Sequence, residues 1–218
     1  NFIACRFIAM IQRHISNINC YTVINYLLIW LSFCIITYFL ANHDKAVYGL
    51  SSVILLMGFG FEYYVKFQFT KNAALYAIAG IILITEVLKG TIKRKNPAMI
   101  MAGFLIIAGS FARFEAAGMA AVIMFPYIIC VFLENKEKKG VLRVFAGIAV
   151  IFLAVISFYM MDRTYYLKNN DWKKFVGYDK KRVELIDYGF PDILPDGISN
   201  EDVHMFKNWN FADPDVFN

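Results

Sequence analysis

Two pairs of charged residues are of interest because each lies in an otherwise apolar part of the sequence. Arg113 and Glu115 are the only charged residues in the stretch 97–133, and Glu62 and Lys66 lie one helical turn apart. Charged side chains within membrane-spanning segments are costly and often mark functional sites. A guanidinium suits bidentate binding of a phosphate or diphosphate. A carboxylate beside it could hold a divalent metal, orient a sugar hydroxyl or fix the arginine, so these four residues are candidate ligands for a phosphate-bearing substrate.

Each pair also has a structural interpretation, which the sequence leaves open. Arg113 and Glu115 could form a solvated turn, and Glu62 and Lys66 could form a local ion pair of the i,i+4 kind. Under this interpretation neither pair contacts a substrate. The functional interpretation requires a set of membrane helices that brings the four charged residues to a common depth.

The composition places these residues in a membrane protein. The 218 residues are 59% hydrophobic and only 18% charged, whereas soluble domains contain about 25% charged residues. Residues 1–161 carry 14 basic and six acidic residues, a net charge of +8, and residues 162–218 carry eight basic and 11 acidic residues, a net charge of −3. These values argue against a soluble enzyme, a nucleic-acid-binding domain and a disordered chain. We expect a membrane-embedded part, 1–161, followed by a water-exposed tail, 162–218.

Apolar segments of suitable length predict an all-α, polytopic transmembrane helical bundle. A spanning helix needs roughly 20 mostly apolar residues. The stretch 97–133 is too long for one crossing and fits a hairpin of two short crossings, with its tip around 110–115. About six spans are predicted, at approximately 21–41, 47–67, 72–88, 97–111, 116–133 and 141–161.

The basic loops predict how the bundle is oriented. Lys and Arg are concentrated in the segments 89–96 and 134–143, and short loops rich in these residues usually face the cytoplasm. This rule places the hairpin tip and the C-terminal tail on the extracytoplasmic side of the plasma membrane. All four candidate residues are then expected in one layer near the headgroups of the outer leaflet. Glu86 is expected at the opposite interface beside Lys89, in a structural role.

The N-terminal segment 1–20 departs from this charge rule. The predicted orientation places it outside, although it contains Arg6 and Arg13. Apolar residues flank both arginines, as in amphipathic segments that lie on a membrane surface. We therefore interpret this segment as a surface element and not as a cytoplasmic anchor.

The tail 162–218 is predicted to form a small extracytoplasmic cap of short helices and irregular segments. Trp172, Phe175 and Tyr178 recur at three-residue spacing, which places them on one face of a short helix. The tail also contains aromatic residues whose rings could stack on sugars but that more often form the core of a small cap, namely Trp172, Trp209, Tyr178, Tyr188 and Phe211. The chain begins at Asn1 without Met and ends directly after an apparent motif, so we expect it to be a fragment.

Several short motifs along the chain resemble those of one group of bacterial proteins. They are Asn19-Cys20-Tyr21, Gln68-Phe69-Thr70 with Ala73, Arg113-Phe114-Glu115, Trp172 with Phe175, Tyr178 and Arg182, Asp187-Tyr188-Gly189 with Pro191, and Gly197-Ile198-Ser199-Asn200-Glu201-Asp202 with Trp209 and Asp213. The group comprises uncharacterised polytopic membrane proteins whose layout is similar to that of GT-C-type glycosyltransferases, which use polyprenyl-phosphate sugar donors at the outer face. The resemblance implies a multi-pass protein of the bacterial cell envelope. It also implies that the catalytic acid lies in a loop upstream of Asn1.

These observations lead to one main hypothesis and two alternatives. In the main hypothesis the protein transfers a sugar from a lipid-phosphate donor to an extracytoplasmic glycan. Arg113 would bind the donor phosphate, Glu115 would orient it, and Lys66 would act as a second cation. A carboxylate upstream of Asn1 would act as the base, and a divalent metal could take part. The alternatives are a transporter or flippase component and a non-catalytic scaffold; the expected partners are the bilayer and a lipid-linked sugar, and no nucleic acid is expected.

Overall fold

Helices make up the regular structure of every part of the chain that the computed structural model describes. The described residues are 2–15, 18–41, 49–50, 52–134 and 138–178. The six main helices are α1 (Phe2–His14), α2 (Cys20–Ala41), α3 (Phe69–Lys89), α4 (Lys95–Ala112), α5 (Phe114–Glu134) and α6 (Lys138–Leu167). Two π-helical turns, Ile54–Phe59 and Phe61–Val65, precede α3. The all-α prediction is confirmed.

Five of these helices, α2 to α6, are long and apolar enough to cross a membrane. They coincide with the predicted spans 21–41, 72–88, 97–111, 116–133 and 141–161. Helix α6 continues past the last of these spans to Leu167. Its side chains are mostly exposed, including Val150 and Phe152, as expected for a helix that faces lipid. The protein is a multi-pass integral membrane protein.

The sixth predicted span, 47–67, lies partly outside the described residues, and its described portion contains the two π-helical turns. The directions of the neighbouring helices bear on this segment. Near the start of both helices, the hydroxyl of Tyr76 in α3 donates a 3.1 Å hydrogen bond to Asn25 in α2, and the C-terminal halves also pack together. The two helices are therefore parallel, so the chain has to return between them. A crossing at 47–67 would provide this return, and the span stays a prediction.

Helix α3 forms the core of the bundle because α2, α4 and α5 all pack against it. Small residues permit this close approach. A Cβ atom at Gly80 would lie 2.8 Å from the carbonyl oxygen of Ala102, and one at Gly109 would lie 2.7 Å from that of Ala73. Small residues at helix contacts are a common means of association in membranes, where the hydrophobic effect contributes little.

Contacts of α3 define two ends of the bundle, which we name after one residue each. At the Arg113 end, the start of α3 meets the junction of α4 and α5 through a hydrogen bond from Arg113 to Thr70. At the Lys89 end, the last turn of α3 meets α5 through a hydrogen bond from Lys89 to Tyr127. Helices α4 and α6 run from the Lys89 end to the Arg113 end, and α5 runs in the opposite direction.

The chain divides into two compact units, Asn1–Asp162 and Arg163–Asn218. In the second unit, residues 170–178 form the predicted short helix. The ring of Trp172 on this helix contacts those of Tyr166 and Phe175 edge-on. The motifs predicted from Arg182 to Asp213 lie outside the described residues, and the side of the membrane that carries the tail stays a prediction.

Candidate functional site

Arg113 is the single residue between helices α4 and α5. Its backbone is extended, with φ of −161° and ψ of 110°. Its amide donates to the carbonyl of Gly109, and its carbonyl accepts from the amide of Ala117, so the residue ends one helix and begins the next. The hairpin tip is therefore tighter than the predicted turn at 110–115. Glu115 follows in the first turn of α5, where the positive end of the helix dipole favours a carboxylate.

The guanidinium of Arg113 is fixed on one side by the start of α3. Nη1 donates a 2.7 Å hydrogen bond to Oγ1 of Thr70, and the guanidinium carbon lies 5.8 Å from the ring centre of Phe69. Among the described residues Glu115 forms a long ion pair with Arg113, with 4.0 Å between Nε and Oε2. The side chain of Arg113 is 47% exposed and that of Glu115 is 73% exposed. Because a guanidinium has five N–H donors, these contacts leave Arg113 the capacity to bind an anion.

The second predicted pair forms a compact ion cluster. Nζ of Lys66 lies 3.1 Å from Oε1 of Glu62, as the structural interpretation expects, and Nζ of Lys71 lies 2.6 Å from Oε2. The sequence did not nominate Lys71, which directly follows the threonine that binds Arg113. The first turn of α3 therefore connects the two predicted pairs at the Arg113 end.

A pocket of about 240 Å³ lies between the α4–α5 junction and α6. Arg113 and Glu115 line this pocket, and Asp162 of α6 contributes a second carboxylate. Neither Glu62 nor Lys66 lines it. The structure thus separates the two predicted pairs, since the first belongs to a pocket and the second to a neighbouring ion cluster.

Sequence reasoning missed Asp162, although a signal was present. Asp162 is the first charged residue after the uncharged run 144–161. The predicted span ended at residue 161, whereas the helix continues to Leu167 and includes Asp162. Its Oδ1 accepts a hydrogen bond from the backbone amide of Phe2 at the start of α1. The charged lining of the pocket therefore consists of one guanidinium and two carboxylates.

Aromatic side chains form much of the apolar lining. Phe114 and Tyr159 stack with their ring centres 4.4 Å apart, and Phe111 meets Phe158 edge-on at 5.2 Å. Aromatic rings in such pairs stabilise one another, so these side chains hold fixed positions in the pocket lining. Rings next to carboxylates suit a ligand with both apolar C–H faces and hydroxyl groups, such as a sugar.

The residues of the pocket do not suit a metal centre built by the protein. Within the described ranges no group of three or more His, Cys, Asp and Glu side chains could hold a metal ion. Glu115 and Asp162 supply only two carboxylates to the pocket, too few for a cation held by protein ligands alone, and a Mg²⁺ ion bound by one or two carboxylates is completed by waters and substrate phosphates. We therefore derive no step of the mechanism from the divalent metal that the sequence hypothesis allowed.

Glu86 and its neighbours at the Lys89 end satisfy one another. The side chain of Glu86 is only 7% exposed, and it accepts a 2.8 Å hydrogen bond from Lys89 and a 2.9 Å one from the hydroxyl of Thr91. Lys89 also donates to the hydroxyl of Tyr127 at 2.8 Å. Gly90, with φ of 77°, ends α3 in the left-handed conformation that glycine favours. The expected proximity of Glu86 to Lys89 is present, and the closed geometry fits a structural role.

Comparisons with known proteins provide no family for this chain. No protein-family model, no curated protein and no solved structure matches it. Because one fold can carry many functions, the function has to be argued from the geometry and chemistry of the site.

Proposed function

We propose that the protein binds a lipid-linked sugar phosphate in the pocket at Arg113 and transfers the sugar to a glycan at the membrane surface. One observation carries this proposal: the pocket combines a guanidinium, two carboxylates and aromatic walls at one end of a membrane-spanning bundle. A ligand at this level can keep its lipid chain in the bilayer while its polar headgroup occupies the pocket.

Each charged group has a role that follows from its chemistry. The planar fork of Arg113 binds the phosphate and stabilises it as a leaving group. Glu115 accepts hydrogen bonds from sugar hydroxyls, and Asp162 faces the acceptor. A bare lipid phosphate offers these carboxylates fewer donors and more negative charge, so the pocket favours a phosphosugar.

The transfer needs a base for the acceptor. The acceptor hydroxyl attacks the anomeric carbon, the bond from that carbon to the phosphate oxygen breaks, and a carboxylate takes the hydroxyl proton. The sequence hypothesis assigned this base to a residue upstream of Asn1. Asp162 is a carboxylate of the pocket whose Oδ1 accepts a hydrogen bond from the amide of Phe2, and its Oδ2 is the oxygen that would take the proton of the acceptor. We assign the role of base within this chain to Asp162.

The transporter alternative draws no support from the distribution of charge. A transporter binds its substrate near the middle of the bilayer, at discontinuous helices in paired halves. Helix α2 carries no charged residue, and helices α3 to α6 carry charged residues only near their ends. The scaffold alternative predicts a pocket that binds no sugar lipid, so it is an outcome of the test below.

The test is a binding titration with the full chain in lipid nanodiscs. The probes are a short-chain polyprenyl phosphate that carries a hexose and the same polyprenyl phosphate without the sugar. We expect tighter binding of the first probe, and Arg113→Gln should weaken it roughly ten- to a hundredfold, since a hydrogen bond to a charged group contributes about 1.5–3 kcal/mol. Arg94→Gln removes an exposed arginine from the Lys89 end and is the matched control.

The outcomes separate the functions. Equal affinity of the wild type and Arg113→Gln would remove this pocket as the site, and no binding at all would favour a scaffold. Binding without release of sugar in the presence of a glycan acceptor would favour a flippase component. Release that is lost in Asp162→Asn while the probe still binds would support Asp162 as the base.

A further inference from the structure

Helix α1 lies across the Arg113 end of the bundle, because its two termini are attached to different helices. The amide of Phe2 donates to Asp162 in α6, and the side-chain oxygen of Gln12 accepts a 2.9 Å hydrogen bond from the amide of Cys20, the first residue of α2. Both attachment points lie at the Arg113 end. The 13 residues of α1 extend for about 20 Å, so the helix runs along the level at which the spanning helices begin and end.

The outward side chains of α1 are either apolar or basic. Phe7 and Met10 are 58% and 55% exposed, and Arg6 and Arg13 are also exposed. The helix contains no Asp or Glu. The guanidinium of Arg6 lies 4.8 Å from the ring centre of Phe2, which keeps its charge near the end of α1 that contacts Asp162. A helix with this composition suits the interface between anionic headgroups and acyl chains.

We propose that α1 docks on anionic phospholipids of the leaflet at the Arg113 end. Phe7 and Met10 insert at the boundary between headgroups and acyl chains, and Arg6 and Arg13 bind lipid phosphates. Charge complementarity selects this partner, since the helix presents cations without a single carboxylate. The attachment to Asp162 places the docked helix beside the pocket, so anionic lipids gather near the pocket. This inference is independent of the proposed sugar transfer.

The test uses a fluorescent label on α1 in the full chain. His14→Cys places the label two helical turns from Phe7 on the same face, after Cys5, Cys20, Cys34 and Cys130 have been replaced by Ala. The protein is placed in nanodiscs of phosphatidylcholine with or without phosphatidylglycerol. Iodide reports exposure of the label to water, and a lipid with a nitroxide high on its acyl chain reports contact with the bilayer.

We expect phosphatidylglycerol to increase quenching by the lipid nitroxide and to decrease quenching by iodide. Arg6→Gln with Arg13→Gln should lower the ratio of docked to undocked helix roughly thirtyfold, about fivefold for each arginine. Lys93→Gln with Arg94→Gln removes the same charge at the Lys89 end and should change nothing.

Three results would overturn the inference. Strong iodide quenching in the presence of phosphatidylglycerol would show that α1 lies in water. Protection from both quenchers would show that protein, such as a second copy, covers the helix. Identical quenching of the wild type and the double arginine variant would show that the charges do not select the lipid.

Discussion

The two ends of helix α3 use similar charged residues in opposite ways. At the Lys89 end, both carboxylate oxygens of Glu86 accept short hydrogen bonds from neighbouring side chains, and the carboxylate is almost fully buried. At the Arg113 end, the carboxylate of Glu115 stays 4.0 Å from the guanidinium, and both side chains are exposed beside a pocket. We call the Lys89 end closed because the buried network around Glu86 is satisfied internally, and the Arg113 end open because Arg113 and Glu115 keep polar groups that face outward.

The difference indicates where function lies. A buried ion pair loses hydration and persists only where additional hydrogen bonds replace the lost water, so the network around Glu86 is explained by packing alone. No such explanation covers Arg113, whose short hydrogen bond goes to a neutral threonine. Arg113 has no short ion pair among the described residues, so its charge at the membrane surface is available for a ligand.

The largest effect on stability is expected from a substitution that removes the ion pair of Glu86 at the closed Lys89 end. Glu86→Ala removes the carboxylate that binds Lys89 and Thr91. It should lower the free energy of unfolding by about 3 kcal/mol, which is the lower part of the range for a broken buried ion pair. The lower value is expected because Lys89 keeps its hydrogen bond to the hydroxyl of Tyr127. Denaturation of the detergent-solubilised protein measures this loss. Glu134→Ala, at an exposed glutamate of the same end, is the control. Unchanged stability of Glu86→Ala would contradict the structural role.

The next effect concerns the open end and should appear in binding and not in stability. Arg113→Lys keeps the charge and loses the planar fork, so affinity for the hexose-bearing polyprenyl phosphate should fall by at least about tenfold. Unfolding should change by no more than about 0.5 kcal/mol, since the side chain is exposed. A lysine variant with wild-type affinity would show that charge alone is recognised.

The smallest effects distinguish the two predicted pairs from each other. Glu115→Gln should weaken binding of the same probe roughly fivefold, because an amide still accepts a hydrogen bond but loses the charge. Lys66→Gln should leave binding unchanged, since Lys66 does not line the pocket. Equal losses in both variants would mean that the ion cluster at Glu62 belongs to the site.

Sequence reasoning recovered the helices more completely than the site. Apolar runs of about 20 residues identify spanning helices without any knowledge of their packing, and the isolation of Arg113 in such a run led to the residue that lines the pocket. Asp162 was not identified from the sequence, because the end of an apolar run shows where the hydrophobic residues end and not where the helix ends. Helix α6 continues for five residues beyond that aspartate.

Contacts between distant parts of the chain were beyond the reach of sequence patterns. The attachment of α1 to Asp162 joins residues 160 positions apart, and no periodicity encodes it. Lys66 lies outside the pocket for a similar reason. The hydrogen bond from Arg113 to Thr70 forms because the ends of α3, α4 and α5 meet in the folded protein, and this packing cannot be read from the sequence. The predicted pairs share one end of the bundle, and only the packing decides which of them faces the pocket.

Photo-crosslinking tests the difference between the two ends most directly. A polyprenyl phosphate that carries a hexose and a photoreactive group near the phosphate is irradiated with the protein in nanodiscs, and the labelled peptides are identified by mass spectrometry. If the ligand binds at the open Arg113 end, we expect labels within 111–115 and 158–162, and excess unlabelled probe should suppress them. Labels concentrated within 86–95, or spread evenly over the lipid-facing surface of α6 and insensitive to competition, would contradict it.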